Sequence, residues 1–283
     1  MLPSHLKKRI PKTFNIGRVR EILGDSSIHT VCESLKCPNI GECFSKNSLT
    51  FMILGDVCTR NCAFCGCKKG IPLPVDPNEP EKILRSAKKL GLKYAVITSV
   101  TRDDLPDGGA GRFAEVVKVL QEEGITVEVL IPDFEGNRDA LDLVIKAKPE
   151  VINHNVETIP RFYPVIRPQA DYKRSLDLLR RVKEADPSIY TKSGIMVGLG
   201  ETDDEVFSVL RDLKGIGCDI VTIGQYLPPS KDHKKADRYV EPEGFLHYER
   251  VGQKIGFLKV FSGPFVRSSY KAGELLCRKP TDY

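Results

Sequence analysis

From about residue 48 the chain alternates short apolar runs with amphipathic segments, and this alternation limits the fold more than any other feature. The strand-like runs are LTFMILGD, KYAVITSV, TVEVLIP, EVINHN, YTKSGIMVGL, DIVTIGQY and FLKVFSGP. Between them lie helix-like stretches: Pro80–Leu90, Arg112–Glu123, Asn137–Lys146, Tyr172–Ala185, Thr202–Ile216 and Pro242–Ile255. Caps and acidic first turns open several of these, as in GNRDAL and ETDDEV. In Tyr172–Ala185 the spacing places Leu176, Leu179 and Val182 on one face, with Arg and Lys opposite. Strands that are apolar throughout and separated by helices specify a parallel sheet covered on both faces. Right-handed crossovers then leave an open doubly wound sheet or a barrel. In either layout ligands bind at the C-terminal ends of the strands. Polar residues collect there: Ser99 through Asp104, His154-Asn155-Val156-Glu157, Gly198 through Glu201, and Gln225.

Nine cysteines stand out against this background. Four lie in CTRNCAFCGC, where Cys58, Cys62 and Cys65 form C-x3-C-x2-C just after the first strand-like run. Three thiolates fit three corners of an iron–sulfur cube and leave the fourth iron open to a small molecule. A structural zinc is the competing reading, with Cys67 as its fourth ligand, although this is not a usual zinc spacing. Phe64, inside the motif, offers a ring for stacking on a base or for packing the loop. A second triplet, Cys32, Cys37 and Cys43, reads C-x4-C-x5-C in TVCESLKCPNIGEC, where Pro38, Asn39 and Gly41 indicate a turn-rich loop. Two triplets flanking one strand are far more specific than either alone. Cys218 lies on an apolar run and reads as core, Cys277 as a free surface thiol, and Cys67 stays undecided.

Clustered thiols indicate a reducing compartment, where they bind metal or do redox chemistry, and nine cannot all pair within one chain. The N-terminal MLPSHLKKRIPKTF lacks the apolar core of a signal peptide, and no run is long enough to span a membrane, so a cytoplasmic protein is expected. The net charge of +5, from 43 basic and 38 acidic residues, is modest. Without a basic helix or aromatic platform it disfavours nucleic acid. SKDHKKADR is the best candidate for docking an acidic partner.

The stretch FMILGDVCTRNCAFC resembles the cluster loop of radical S-adenosylmethionine enzymes, and with TVCESLKCPNIGEC before it the chain resembles the lipoyl synthase family. Supporting stretches are TSVTRDDLPDGGA, HNVETIPRFYPVIRP, KSGIMVGLGET, QYLPPS and GPFVRSSYKAGE, so the likeness runs from about residue 14 to residue 273. It departs from the family pattern at SKDHKKADRYV, at Lys271, at Phe44 and at the N-terminal start; none is a cluster ligand.

The resemblance implies an α/β protein, a partial parallel (β/α)6 barrel of TIM type with N- and C-terminal extensions. Residues 1–48 would carry the second cluster loop, 49–225 the barrel core, and 226–283 the closing segment. It implies two 4Fe–4S clusters and S-adenosyl-L-methionine as cofactors. Cys58, Cys62 and Cys65 would hold the cluster that cleaves S-adenosylmethionine to a 5′-deoxyadenosyl radical. Cys32, Cys37 and Cys43, with Ser269 (or Ser268) of RSSY as fourth ligand, would hold an auxiliary cluster that gives up sulfur. Asn155 and Glu157 would meet the ribose hydroxyls, Gly200 and Glu201 the methionine or ribose portion, and Arg267 would position the serine loop. The implied reaction inserts sulfur at C6 and C8 of an octanoyl-lysine, whose hydrogens no side-chain base can remove. Implied partners are octanoylated lipoyl carrier domains (the glycine cleavage H protein and acyltransferase subunits of 2-oxo acid dehydrogenases), an electron donor such as flavodoxin or ferredoxin, and an iron–sulfur carrier for cluster repair. A monomer is the default expectation. Another sulfur-inserting radical enzyme and a zinc-stabilised binding protein are the alternatives.

Overall fold

The computed structural model describes residues 2–7, 15–24, 28–46 and 48–275. Its strands are β1 His29–Thr30, β2 Thr50–Ile53, β3 Val57–Cys58, β4 Lys68–Lys69, β5 Tyr94–Ser99, β6 Thr126–Leu130, β7 Val151–Asn153, β8 Tyr190–Val197, β9 Ile220–Gln225 and β10 Lys259–Gly263. An eight-stranded sheet runs β1-β2-β5-β6-β7-β8-β9-β10, parallel throughout except for β1 against β2. This is the α/β partial parallel barrel expected, with β1 added at one edge and β10, a seventh parallel strand, at the other. β3 and β4 form a separate parallel pair.

The helices are α1 Asn15–Gly24, α2 Val31–Ser34, α3 Ile40–Ser45, α4 Glu79–Leu90, α5 Ala110–Gln121, α6 Arg138–Lys146, α7 Tyr163–Ile166, α8 Tyr172–Ala185, α9 Asp203–Gly215 and α10 Pro242–Ile255. Local chemistry fixes their ends. Asn137 accepts from the Ala140 amide at 3.1 Å to start α6, and Thr202 and Glu205 form a capping box at the start of α9. α8 buries Ser175, Leu178, Leu179 and Val182; Leu176 is only partly covered, so its apolar face is rotated slightly from the one the Leu spacing suggested. The helices pack on β-strands that are buried along their length, and one continuous apolar core joins both layers. Cys218 belongs to it, fully buried, whereas Cys277 lies outside the described residues.

Polar side chains occupy part of the barrel interior. Glu128 of β6 accepts from Lys192 Nζ of β8 at 2.9 Å, from Tyr94 Oη at 2.8 Å and from Asn153 Nδ2 at 3.3 Å. Lys192 and Glu128 are almost wholly buried. No helix among the described residues is long and apolar enough to cross a membrane.

Candidate active site

The first triplet hangs from the C-terminal end of β2 as a loop over the strand ends. Its base and its middle are both fastened to TRDD, which follows β5. At the base, Leu54 takes a left-handed φ of 67°. Its amide donates to Glu79 Oε1 at 2.9 Å and its carbonyl accepts from Arg102 Nη1 at 3.1 Å. Next to Cys58, Thr59 donates through both amide and hydroxyl to the Thr101 carbonyl, at 3.1 and 3.0 Å, and accepts from the Asp103 amide at 3.1 Å. Arg60, 4% exposed at its side chain, forks onto Asp103 at 2.7 and 2.9 Å and reaches Asp133 at 2.7 Å. Burial pushes Asp133 up, but the Arg60 guanidinium outweighs it and holds the carboxyl down at about 2. Arg174 of α8 meets the other Asp133 oxygen at 3.1 Å. The loop is thus bolted to the ends of β5 and β6, in part by charge-assisted bonds, the strong kind.

The thiols are free and half-buried. Burial pushes Cys62 up to about 11, against the pull of nearby Arg167. A shared hydrogen bond with the Cys67 thiol draws Cys65 down to about 7 and drives Cys67 upward. Cys67 also packs on the core, which gives the undecided thiol a structural place beside the triplet. The Arg60 amide donates to Cys58 Sγ at 3.4 Å. Protonated thiols that burial disfavours as thiolates are what a metal's own charge would ionise. Three free thiols on one loop, with amide and cationic neighbours, fit an iron–sulfur cube. Among the described residues no three His, Cys, Asp or Glu side chains converge on a point suited to a single metal ion. A cube asks less, because it gives each thiolate its own iron.

The second triplet is built differently from the turn-rich loop its sequence suggests. Thr30 accepts from the Glu33 amide at 3.3 Å and caps α2, which carries Cys32; Cys43 lies on α3, and Cys37 on the turn between. The Thr30 cap supplies a side-chain acceptor for an amide of α2, whereas α3 starts at Asn39 without a side-chain cap. Burial pushes Cys32 up to about 12. The C-terminal segment fastens this triplet: Asn39 Nδ2 donates to the Phe265 carbonyl at 2.7 Å and Tyr270 Oη to Glu42 Oε1 at 3.1 Å.

That same segment crosses the barrel mouth. A Cβ at Gly224 would stand 2.2 Å from the Val266 carbonyl oxygen, so the glycine of β9 admits the tail. Ser268 Oγ accepts from Asn155 Nδ2 at 2.6 Å, and the same amide donates to Glu157 Oε1 at 3.0 Å. Asn155 Oδ1 is buried without a partner among the described residues. Burial pushes the Glu157 carboxyl up, against Arg167 and Arg267. Arg267 donates from Nη1 to the Val266 carbonyl at 2.7 Å, and burial draws its guanidinium down. Ser269 is the next residue along, just before Tyr270.

Glu201 turns inward and accepts from the amides of Gly198 and Leu199 at 2.7 and 2.8 Å. It shapes the turn in which Gly198 and Gly200 adopt φ near 103° and 104°, and a Cβ on Gly200 would lie 2.9 Å from Asp237 Oδ2. Phe64 is half-buried against a small apolar cluster of Ile166, Leu199 and Tyr226. His154 bonds the Ile131 carbonyl and Ser175 Oγ, and burial draws it down to about 4, so it is a neutral structural imidazole.

Sequence reasoning missed Arg60, Asp133 and Arg167, and it placed Asp103 only as one of the polar residues after a strand. Arg167 donates to the Asn155 and Val156 carbonyls at 3.0 and 3.1 Å beneath the triplet. The available signal was Arg60 itself, the only charged residue between Cys58 and Cys65.

A three-cysteine loop over the C-terminal ends of a mostly parallel α/β sheet defines a radical S-adenosylmethionine protein, and the Radical SAM superfamily pattern matches residues 52–213. The fold agrees. Methylornithine synthase superposes with a TM-score of 0.55 at 14% identity over 90% of this chain and 83% of that one. Streptococcus suis SuiB bound to S-adenosylmethionine gives 0.59 at 14% identity, covering 80% of this chain and 55% of that one. Sequence relatives are narrower in kind. The lipoyl synthase of Caldanaerobacter subterraneus subsp. tengcongensis is 56% identical over 271 residues, 95% of each chain. That of Aquifex aeolicus is 54% identical over 260 residues, 91% of this chain and 94% of its own. The chain belongs to the lipoyl synthase family, which sets aside the zinc-scaffold reading.

Proposed function

We propose that the protein inserts two sulfur atoms at C6 and C8 of an octanoyl-lysine on a lipoyl carrier domain, consuming S-adenosylmethionine. The observation that carries this reading is the Asn155–Ser268 hydrogen bond at 2.6 Å. It ties the tail that grips the second triplet to the strand end beside the first, so that both thiol sets serve one mouth. Cys58, Cys62 and Cys65 would hold a cluster supplying the one-electron chemistry that turns S-adenosylmethionine into a hydrogen-abstracting radical, and Cys32, Cys37, Cys43 and Ser269 would hold a cluster supplying sulfur.

The chain's own residues bind and orient. Arg60, Thr59 and Arg102 hold the first loop in register over the mouth. Asn155 presents its unpartnered Oδ1, and Glu157 its carboxylate, to the ribose hydroxyls. Gly200 and the Glu201-shaped turn leave room for the methionine portion, and Phe64 lines the adenine side. Arg267 steadies the serine loop through its bond to the Val266 carbonyl. No side chain needs to act as a base, in keeping with the committed, neutral His154. Ser269 offers an oxygen, a harder ligand than thiolate and one that leaves a soft cluster more readily.

Residues 1–48, 49–225 and 226–283 act as auxiliary-loop extension, radical core and closing segment. The protein works as a cytoplasmic monomer, with the glycine cleavage H protein and 2-oxo acid dehydrogenase acyltransferases as carriers. Flavodoxin or ferredoxin supplies the electrons, and an iron–sulfur carrier restores the auxiliary cluster.

The test offers an octanoyl-lysine peptide, S-adenosylmethionine and dithionite to anaerobically reconstituted protein. The expected result is stepwise mass gain by two sulfurs with release of 5′-deoxyadenosine. Cleavage without mass gain in the wild type overturns the reading.

A further inference from the structure

The barrel mouth accounts for the thiols of both loops but leaves one surface without a task. Among the described large apolar side chains, Ile71 and Leu73 are the most exposed, at 94% and 80%. They project from a segment stiffened by Pro72 and Pro74, just past the first triplet. Two such side chains on one short segment, directly after the exposed Lys68 and Lys69, mark a contact surface rather than stray exposure.

This segment is anchored to the first triplet itself. β4 pairs with β3 so that Lys69 stands opposite Cys58 and Lys68 opposite Val57, and the Gly70 amide donates to the Cys58 carbonyl at 3.4 Å. β4 is therefore one inter-strand spacing, about 5 Å, from the backbone of a thiol the cluster needs. A second basic loop adjoins it. A Cβ on Gly66 would lie 3.0 Å from Pro229 Cβ, and His233 Nε2 meets the Cys65 carbonyl at 3.2 Å. Lys231 and Lys235 on that loop are exposed. Lys68 pairs with Asp56 at 2.6 Å, but its side chain is 73% exposed, and a surface pair of this kind leaves the charge available.

From this we infer that Lys68, Lys69, Ile71 and Leu73, with Lys231 and Lys235, form the docking face for an acidic protein that donates single electrons to the cluster at Cys58, Cys62 and Cys65. The inference rests on the functional reading above. Each S-adenosylmethionine cleaved consumes one electron, which the chain does not make and the substrate does not bring. The donor must approach the accepting cluster closely, and this face is built on the strand pair that carries Cys58. Electron-transfer encounters are brief and small, so a two-residue apolar centre with a lysine rim suffices to steer and seat an acidic partner. An acyl carrier has a different requirement, because it must deliver its chain between both thiol sets.

The probe is reduced flavodoxin, titrated with the reconstituted holoenzyme and followed by anisotropy of labelled flavodoxin at low and high salt. Ile71→Asp/Leu73→Asp and, separately, Lys231→Glu/Lys235→Glu are expected to weaken binding by about tenfold, the lysine variant with a flatter salt dependence. Flavodoxin-driven cleavage of S-adenosylmethionine should fall in parallel, while dithionite-driven cleavage stays within about twofold of wild type. If the apolar variant also loses dithionite-driven cleavage, the lysine variant, which lies outside the triplet loop, decides. Unchanged flavodoxin binding in the lysine variant overturns the inference. So does unchanged flavodoxin binding combined with a raised KM for octanoylated carrier protein, which would give the face to the carrier. Failure of wild-type protein to cleave S-adenosylmethionine even with dithionite would instead sink the functional reading.

Discussion

The two cysteine triplets are held in contrasting ways. The first is riveted to the barrel by side chains from distant strands: Arg60 to Asp103 and Asp133, Thr59 to Thr101, and Arg102 and Glu79 to Leu54. The second is gripped from the chain's other end, through Asn39 to Phe265 and Glu42 to Tyr270. One site is made by the scaffold, and the other exists only when two terminal segments meet. A cluster that must survive every turnover suits the rigid frame. A cluster that is consumed and rebuilt suits a clasp that can part without disturbing the barrel.

The contrast can be broken most sharply at the thiols. Cys37→Ala should lose about half the iron and all measurable sulfur insertion while keeping 5′-deoxyadenosine release; Cys58→Ala should lose both activities. Iron analysis beside the peptide assay reads both. Next comes Arg60→Ala, which leaves the buried Asp133 carboxylate with Arg174 as its remaining cationic partner. It should cost about 3 kcal/mol in denaturant unfolding and deplete the first cluster selectively.

Glu79 sharpens the rigid side through pH. Burial raises its carboxyl from 4.5 to about 7, with Arg112 Nε 3.9 Å away. A raised acid favours the folded state while protonated, so its contribution is complete below about pH 4.5 and is lost as pH rises through 7. Glu79→Gln, neutral throughout, should gain on wild type by up to about 3 kcal/mol between pH 4.5 and 7.5, read as a growing difference in urea midpoints. The smallest effect is expected at the clasp. Asn39→Ala should cost about 1 kcal/mol of global stability but speed loss of the auxiliary cluster to a chelator, leaving the first cluster unaffected.

Much of this arrangement is legible in the sequence, because the core obeys local periodicity. The limits of α8 and α10 coincide with the amphipathic stretches, and the strand ends carry the polar residues expected there. The apolar run EVINHN yields a strand of only Val151–Asn153, since His154 and Asn155 turn to bond Ile131 and Ser268. What the sequence hides is pairing at long range. Nothing local marks Asp133 as the partner of Arg60, 73 positions earlier, and the helices around Cys32 and Cys43 are four and six residues long, too short for periodicity to register. The pair β3–β4 is likewise invisible, since two residues show no alternation.

The buried contact of Lys192 with Glu128 has a consequence for how the chain finds its shape. Seven parallel strands rich in Val and Ile would match their neighbours almost as well after sliding by two residues, since such a shift returns the same faces inward. Sliding β8 past β7 in that way would carry an ammonium away from the one carboxylate that answers it, leaving Lys192 dry and unpaired and Glu128 with only neutral donors, at a cost of several kcal/mol. A pair of charges no solvent sees thus acts as an alignment mark, telling otherwise interchangeable greasy ribbons where to stop.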